Sequence, residues 1–305
     1  ANFHPIGIES ADNPNGYHSL YYERQDGVRI PFAQDIQGGK IGALLELRGT
    51  TIGTNGQFED GFLQETIDNL NALAKGLMEA TNNIYAQSAT SSMQSNSLPF
   101  TESQQLLSSD GNFKAGTFDI VVYDIDGNVA VRRSITIDEN TVMNNATTTL
   151  SDGITPNSIV EQLNWQRDDT GDNNALNDVD DLLFAQFGTD QNILRIDFQA
   201  GFAGQGYTFA IEDNGTNFAG VTGVSRFFDG DNIKNIALSR EIQDDATAIR
   251  GFRSPVSGDN QTALAMVELQ FSKVSFKNGN DVYSDTLYGN YDTVVTRVGT
   301  KTNSV

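Results

Sequence analysis

Residues 62–89 read FLQETIDNLNALAKGLMEATNNIYAQSA, and the fold turns on this stretch. Leu63, Ile67, Leu70, Ala74, Leu77, Thr81 and Ile84 follow one another in alternating steps of four and three. That is the heptad spacing that keeps one stripe of a helix turned toward a partner. Leu73 and Ala80 broaden the stripe, which suits a helix in a small bundle better than a strand of an isolated two-stranded coil. An ordinary core helix carries the same pattern, so the stripe alone specifies a helix and a packed face, not a function.

Toward the far end, Leu287, Tyr291, Val294 and Val298 repeat the same spacing, so the two ends of the chain are expected to pack together as helices. On the other side a shorter helix is expected after Gly38-Gly39, with Ile41, Leu44 and Leu45 as its apolar face and Gly49 as its stop. Before it, Tyr17-His18-Ser19-Leu20-Tyr21-Tyr22 alternates toward Gln25-Asp26-Gly27, the pattern of a short hairpin.

The character of the chain changes after the Ser, Asn and Gln-rich stretch from Ser91 to Ser97. From Leu98-Pro99 to about Ser257 it is β-rich. Thr117-Phe118-Asp119-Ile120-Val121-Val122-Tyr123 and Val129-Ala130-Val131 flank Asp126-Gly127-Asn128, a strong hairpin signal. Further strands are expected at Ile193 to Phe198 and Tyr207 to Ile211, with one helix at about Asn157 to Trp165 headed by Ser158. Beyond Gly258-Asp259-Asn260 helical signals return in Leu264, Ala265, Met266, Val267 and Leu269, while Phe271, Val274 and Phe276 alternate as a strand does. The expected class is therefore α+β: a discontinuous helical-bundle domain (1–97 plus 258–305) with an inserted β-rich domain (98–257), elongated overall.

Composition narrows the function. A formal net charge of −21 argues against nucleic acid, whose binding rests on Lys and Arg displacing counterions from phosphates. No run approaches the ~20 apolar residues needed to span a bilayer, so no membrane partner is expected. With no cysteine there is no disulfide, thiolate metal site or cysteine nucleophile. A hydrophobic share of 38% suits a large surface relative to core. The opening residues Ala1-Asn2-Phe3-His4-Pro5 carry neither an initiator Met nor a charged-then-apolar leader, so a processed chain or a fragment is expected.

Acid-base chemistry usually recruits His, and this chain has only His4 and His18, neither beside a nucleophile motif. No phosphate loop, zinc helix or nucleophile elbow occurs, so neither catalytic residues nor a cofactor are expected. Asp124-Ile125-Asp126-Gly127-Asn128 resembles the start of a calcium loop, but Ile135 stands where the twelfth-position Glu belongs, and a hairpin turn needs the same residues. The acidic run Asp168-Asp169-Thr170-Gly171-Asp172 with Asp178, Asp180 and Asp181 can be a cation site or, more simply, a solvated loop. Glycosylation sequons at Asn145, Asn214 and Asn260 are expected by chance in so Asn- and Thr-rich a chain.

The segment Gly38-Gly39-Lys40-Ile41-Gly42-Ala43-Leu44-Leu45-Glu46-Leu47-Arg48, with Asn69-Leu70-Asn71-Ala72-Leu73-Ala74 after it, resembles the helical domain of the FlgK family of flagellar hook-associated proteins. Ala115-Gly116-Thr117-Phe118-Asp119-Ile120 with Asp126-Gly127, then Phe227-Phe228-Asp229-Gly230, then Gly258-Asp259-Asn260 extend the resemblance, in family order, over most of the chain. Two departures stand out: Gly49 replaces an acidic residue, and the chain stops at Asn303-Ser304-Val305 without the family's long polymerising helix.

The resemblance implies an extracellular axial protein, exported without a cleaved signal peptide, that joins hook to filament as a ring-like segment. Its implied partners are further copies of itself, hook protein, the second junction protein and an export chaperone, with the fragment itself monomeric. The alternatives are an acidic surface adhesin or other β-domain binding module, or a related axial protein such as the filament cap or second junction protein.

Overall fold

A computed structural model describes residues 4–10, 16–36, 38–54, 56–109, 111–174 and 176–304; Ala1, Asn2 and Phe3 of the opening segment lie outside them. The elements in chain order are β1 (Ile6–Ser10), β2 (His18–Glu23), β3 (Arg29–Pro31), α1 (Gly39–Arg48), α2 (Phe62–Tyr85), β4 (Ser92–Gln94), β5 (Gly116–Tyr123) and β6 (Val129–Ile137). Then come α3 (Ile159–Asn164), α4 (Val179–Leu182), β7 (Leu183–Gly188), β8 (Ile193–Phe198), β9 (Thr208–Asp213) and α5 (Phe218–Thr222). The last are β10 (Phe228–Asp229), β11 (Ala237–Leu238), α6 (Arg240–Asp244), α7 (Gln261–Glu268), β12 (Lys273–Asn278), β13 (Asp281–Thr286) and α8 (Leu287–Ser304). The class is α+β, with helices beside small open sheets and no barrel among the described residues.

Two compact units are present, residues 1–72 with 289–305, and residues 73–288. The divisions fall within α2 and α8, not at the expected 97/98 and 257/258. The reason lies in the polar stretch at Ser91–Ser97. It is no linker: β4 pairs antiparallel with β8, and Met93 and Leu98 are buried in the same core as the β-rich strands.

In the first unit β1, β2 and β3 form an antiparallel sheet in that order, with Ile6 opposite Tyr22 and Tyr21 opposite Pro31. Arg24 closes the hairpin turn by donating its N–H to the Val28 carbonyl at 2.9 Å. Helix α1 ends at Gly49, whose φ of +102° only glycine adopts easily and whose N–H reaches the Leu45 carbonyl at 2.7 Å. A Cβ at position 49 would stand 2.3 Å from the Asp60 carbonyl oxygen, so an acidic side chain in place of Gly49 has no room. Asp60 then closes the loop before α2: its carboxylate accepts the N–H groups of Thr50 and Thr51 at 2.8 and 2.7 Å and the Thr50 hydroxyl at 2.8 Å. Burial raises the Asp60 pKa, but these hydrogen bonds outweigh it and hold the group below its ordinary value.

The second unit carries the large core. Strands β6, β5 and β9 form one antiparallel sheet and β4, β8 and β7 another. Phe118, Ile120, Ile135, Leu194, Phe209 and Phe218 are buried in a single cluster, with the rings of Phe118 and Phe218 stacked at 4.2 Å. Ser158 caps α3 by accepting the Glu161 N–H at 3.0 Å, and Asn164 ties the helix to β7 through two 2.8 Å bonds with the Ala185 backbone. The ambiguous stretch after Asn260 resolves as α7, a single tight turn at Leu269–Phe271, and then the hairpin β12–β13.

Candidate assembly surface and buried polar joints

The apolar stripe of α2 does not lie on one buried seam. Ala74 and Thr81 are buried, and Leu70, Leu77 and Ile84 are half-buried, but Leu63 and Ile67 are exposed. On α8 Val294 is buried, Leu287 and Val298 are half-buried, and Tyr291 is exposed. Within the second unit the packed face of α2 is set by Phe276, which with Leu269 and Val274 gathers Leu73, Ala80, Ile84 and Leu287 around it. The broadening residues Leu73 and Ala80 thus face this cluster together with Ile84 of the heptad line, while Ala74 and Thr81 of that line are buried as well. Gly76 permits the approach: a Cβ on it would sit 2.5 Å from Phe276 Cδ1.

In the first unit α1, the opening turns of α2 and α8 border a groove of about 970 Å³ lined by Gly42, Leu45, Glu46, Glu65, Arg297 and Lys301 among others. Arg297 pairs with Glu65, and Lys301 with Glu46, so both ends of the chain meet across these ion pairs. The pairs lie largely in solvent and stabilise by at most about 1 kcal/mol each. Ile41 and Leu44 on α1, Leu63 and Ile67 on α2, and Tyr291 and Val295 on α8 are each 39–57% exposed. That is six large apolar side chains uncovered on the helices of one small unit.

The expected chemistry-bearing residues are placed as follows. His4 Nδ1 lies 3.3 Å from the Glu23 carbonyl oxygen and its ring packs near Tyr22, while His18 is exposed. Asp124 Oδ1 accepts the N–H groups of Asp126 and Asn128 at 3.0 and 2.8 Å, which makes the Asp124–Asn128 segment the β5–β6 hairpin turn. Asn145, Asn214 and Asn260 are all exposed. Among the described residues no group of three or more His, Asp or Glu is arranged to hold a metal ion, and no helix is long and apolar enough to cross a membrane.

The acidic run is the main surprise. Asp168 and Asp172 do sit in a solvated loop, but Asp169 is turned inward onto Arg133, itself 3% exposed. Arg133 Nε donates to both Asp169 oxygens at 3.0 and 2.9 Å, and Nη2 lies 2.5 Å from Asp180. Its Nη1 donates to the carbonyls of Gln162, Leu163 and Trp165 at 3.2, 3.0 and 2.9 Å. Two of the six aspartates, Asp169 and Asp180, are therefore the counter-charge of a buried arginine. The sequence held a signal: Val131, Arg133, Ile135 and Ile137 share the inward phase of β6, so the arginine had to be buried and paired.

A second joint escaped the sequence altogether. Glu79 on α2 is 6% exposed; its Oε2 accepts from Asn112 Nδ2 at 3.3 Å and Asn217 Nδ2 at 2.8 Å, and Lys75 Nζ stands 3.9 Å from Oε1. Burial raises its pKa, against the pull of Lys75, Asn217, Asn112 and Lys277. The arrangement locks α2 to the segments at 112 and 217. It offers no nucleophile paired with a base, so its chemistry is that of a structural clasp.

Comparison with known proteins adds no relative: no protein-family model matches the chain, and no curated protein sequence matches it.

Proposed function

We propose that this chain is a non-catalytic structural subunit of the bacterial flagellum, part of the ring-like segment that joins hook to filament outside the cell. In this proposal both ends of the chain build a discontinuous helical axial domain, and the β-rich part between them is an inserted outer body. Further copies of the chain, hook protein, the second junction protein and an export chaperone are its proposed partners. The observation that carries the proposal is the first unit: residues from both chain ends share it, and its helices leave Ile41, Leu44, Leu63, Ile67, Tyr291 and Val295 uncovered. The motif resembling the FlgK family, Gly38 to Arg48, coincides with α1 of that unit.

The test is made in motile cells of the source bacterium. Deleting the gene is expected to leave hooks without attached filaments, and the wild-type copy to restore them. Leu63→Glu with Ile67→Glu is expected to be exported but not to restore junctions under the electron microscope. Normal filaments in the deletion strain would end the proposal.

A further inference from the structure

One cavity in the second unit is built differently from the acidic surface of this chain. It measures about 380 Å³, toward the lower end of the ~300–1,000 Å³ typical of small-molecule pockets. Two arginines, Arg226 and Arg250, stand in its wall. The Arg226 guanidinium is paired with a carboxylate: Nε donates to Asp229, and Nη1 donates to the carbonyls of Gln94 and Gly223 at 2.9 and 3.3 Å.

Arg250 is held just as firmly but is not neutralised. Its guanidinium lies 4.7 Å over the Tyr85 ring, donates to the Thr90 hydroxyl at 3.2 Å and the Ser225 hydroxyl at 2.8 Å, and leaves Nε without a hydrogen-bond partner. The carboxylate it pairs with, Glu241 Oε1, stands 3.8 Å away on a side chain 62% exposed. So loose a contact leaves the positive charge open to a better-placed anion.

Ser239 supplies the independent sign of a ligand. It lines the same cavity and is 3% exposed, and although it stands at the N-cap position of α6 its Oγ makes no capping bond and has no partner. Buried hydroxyls are almost always satisfied, and one left open on a cavity wall marks a donor awaiting an acceptor. Ser91 and Ser92 add further hydroxyls to the lining.

We propose that this cavity binds an oxyanion carried on a hydroxylated body, a phosphorylated or carboxylated sugar. Arg250 and Ser239 hold the anionic oxygens, Glu241 swings into solvent as the anion enters, and the surrounding hydroxyls meet those of the sugar. The site is independent of the assembly surface, which lies in the other unit.

Calorimetric titration of the 305-residue chain with a hexose phosphate, with glucuronate and with uncharged glucose tests it. Saturable binding of either charged probe, and none of glucose, is expected; the probe that binds identifies the anion as phosphate or carboxylate. Arg250→Gln is expected to weaken binding about tenfold or more, and Ser239→Ala about threefold to tenfold. Glu241→Gln removes the competing carboxylate and is expected to tighten binding about threefold. Because Arg250 also stacks on Tyr85, the deciding variants are those at Ser239 and Glu241, which leave that stack intact. No saturation by either charged probe up to roughly millimolar levels, equal binding of glucose, or affinities unmoved in both variants would overturn the proposal.

Discussion

Arg133 and Asp169 meet inside the second unit with Nη2 and Oδ2 2.7 Å apart, and their side chains are only 2% and 3% exposed. A guanidinium so deep in a protein is tolerated because every direction is answered, by two carboxylates and by backbone carbonyls from Gln162, Leu163, Trp165 and Arg167. Residues 162–180 are thereby drawn against β6, and an acidic run becomes part of the interior.

Breaking that cluster from one side leaves buried charge without compensation. Arg133→Met is expected to cost about 3–5 kcal/mol, because Asp169 and Asp180 then lose the buried cation between them and Asp169 keeps only one cation, the exposed Arg167 at 3.9 Å. Urea unfolding followed by fluorescence measures it, and a loss below about 1 kcal/mol would show that the cluster is solvated in solution.

Glu79 makes an opposite kind of prediction, one of sign. Its folded pKa is raised by burial, so its contribution to stability is fully present below the ordinary glutamate value of about 4.3 and is lost as pH rises through the folded pKa. Glu79→Gln keeps an acceptor for Asn112 and Asn217 and removes the buried charge. The variant is expected to match the wild type in acid and to become the more stable of the two toward neutral pH. Denaturation midpoints across pH compare them, and a wild type that gains on the variant as pH rises would contradict the assignment.

Asp138 runs the other way. Burial raises its pKa, but the hydroxyl and N–H of Ser151, the N–H of Asn140 and the Thr141 hydroxyl outweigh that, and the carboxyl is held below its ordinary value. The stability it contributes is therefore present above about pH 3.9 and fades as pH falls through the lowered folded pKa. Asp138→Asn is expected to lose about 1–3 kcal/mol near neutral pH, with the gap closing in acid. The same pH series of denaturation curves checks it.

What the sequence made legible follows local chemistry. Gly38-Gly39 and Gly49 bracket α1, Ser158 caps α3, and Asp126-Gly127-Asn128 turns β5 into β6, each because a few neighbouring residues decide the backbone. What stayed hidden depends on distant partners. Ser92–Gln94 reads as a polar spacer because only Met93 turns inward, and β8 makes it a strand. Asp169 reads as solvated until Arg133 is found opposite. On α2 the heptad line and the line through Leu73 and Ala80 are both apolar, and it is Phe276, some two hundred residues later, that gathers Leu73, Ala80 and Ile84 into one cluster. The cavity around Arg250 draws on four separate segments, none with a motif of its own.

The contact of α2 with Phe276 can itself be tested at Gly76. In an exposed helix, Gly→Ala stabilises by about 1 kcal/mol through reduced backbone entropy. Here the new Cβ would fall 2.5 Å from Cδ1 and 2.7 Å from Cε1 of Phe276, a ring with no exposed surface and with Tyr283 at 5.5 Å on another side. The ring cannot withdraw without repacking, and overpacking of this kind costs about 1–3 kcal/mol, which outweighs the helical gain. Gly76→Ala is therefore expected to destabilise the protein, and in a Phe276→Leu background, where the ring edge is gone, the same change becomes neutral or stabilising. A double-mutant cycle by urea unfolding isolates that coupling, expected at about 1–2 kcal/mol. Additive effects within about 0.3 kcal/mol would mean that Gly76 and Phe276 do not meet.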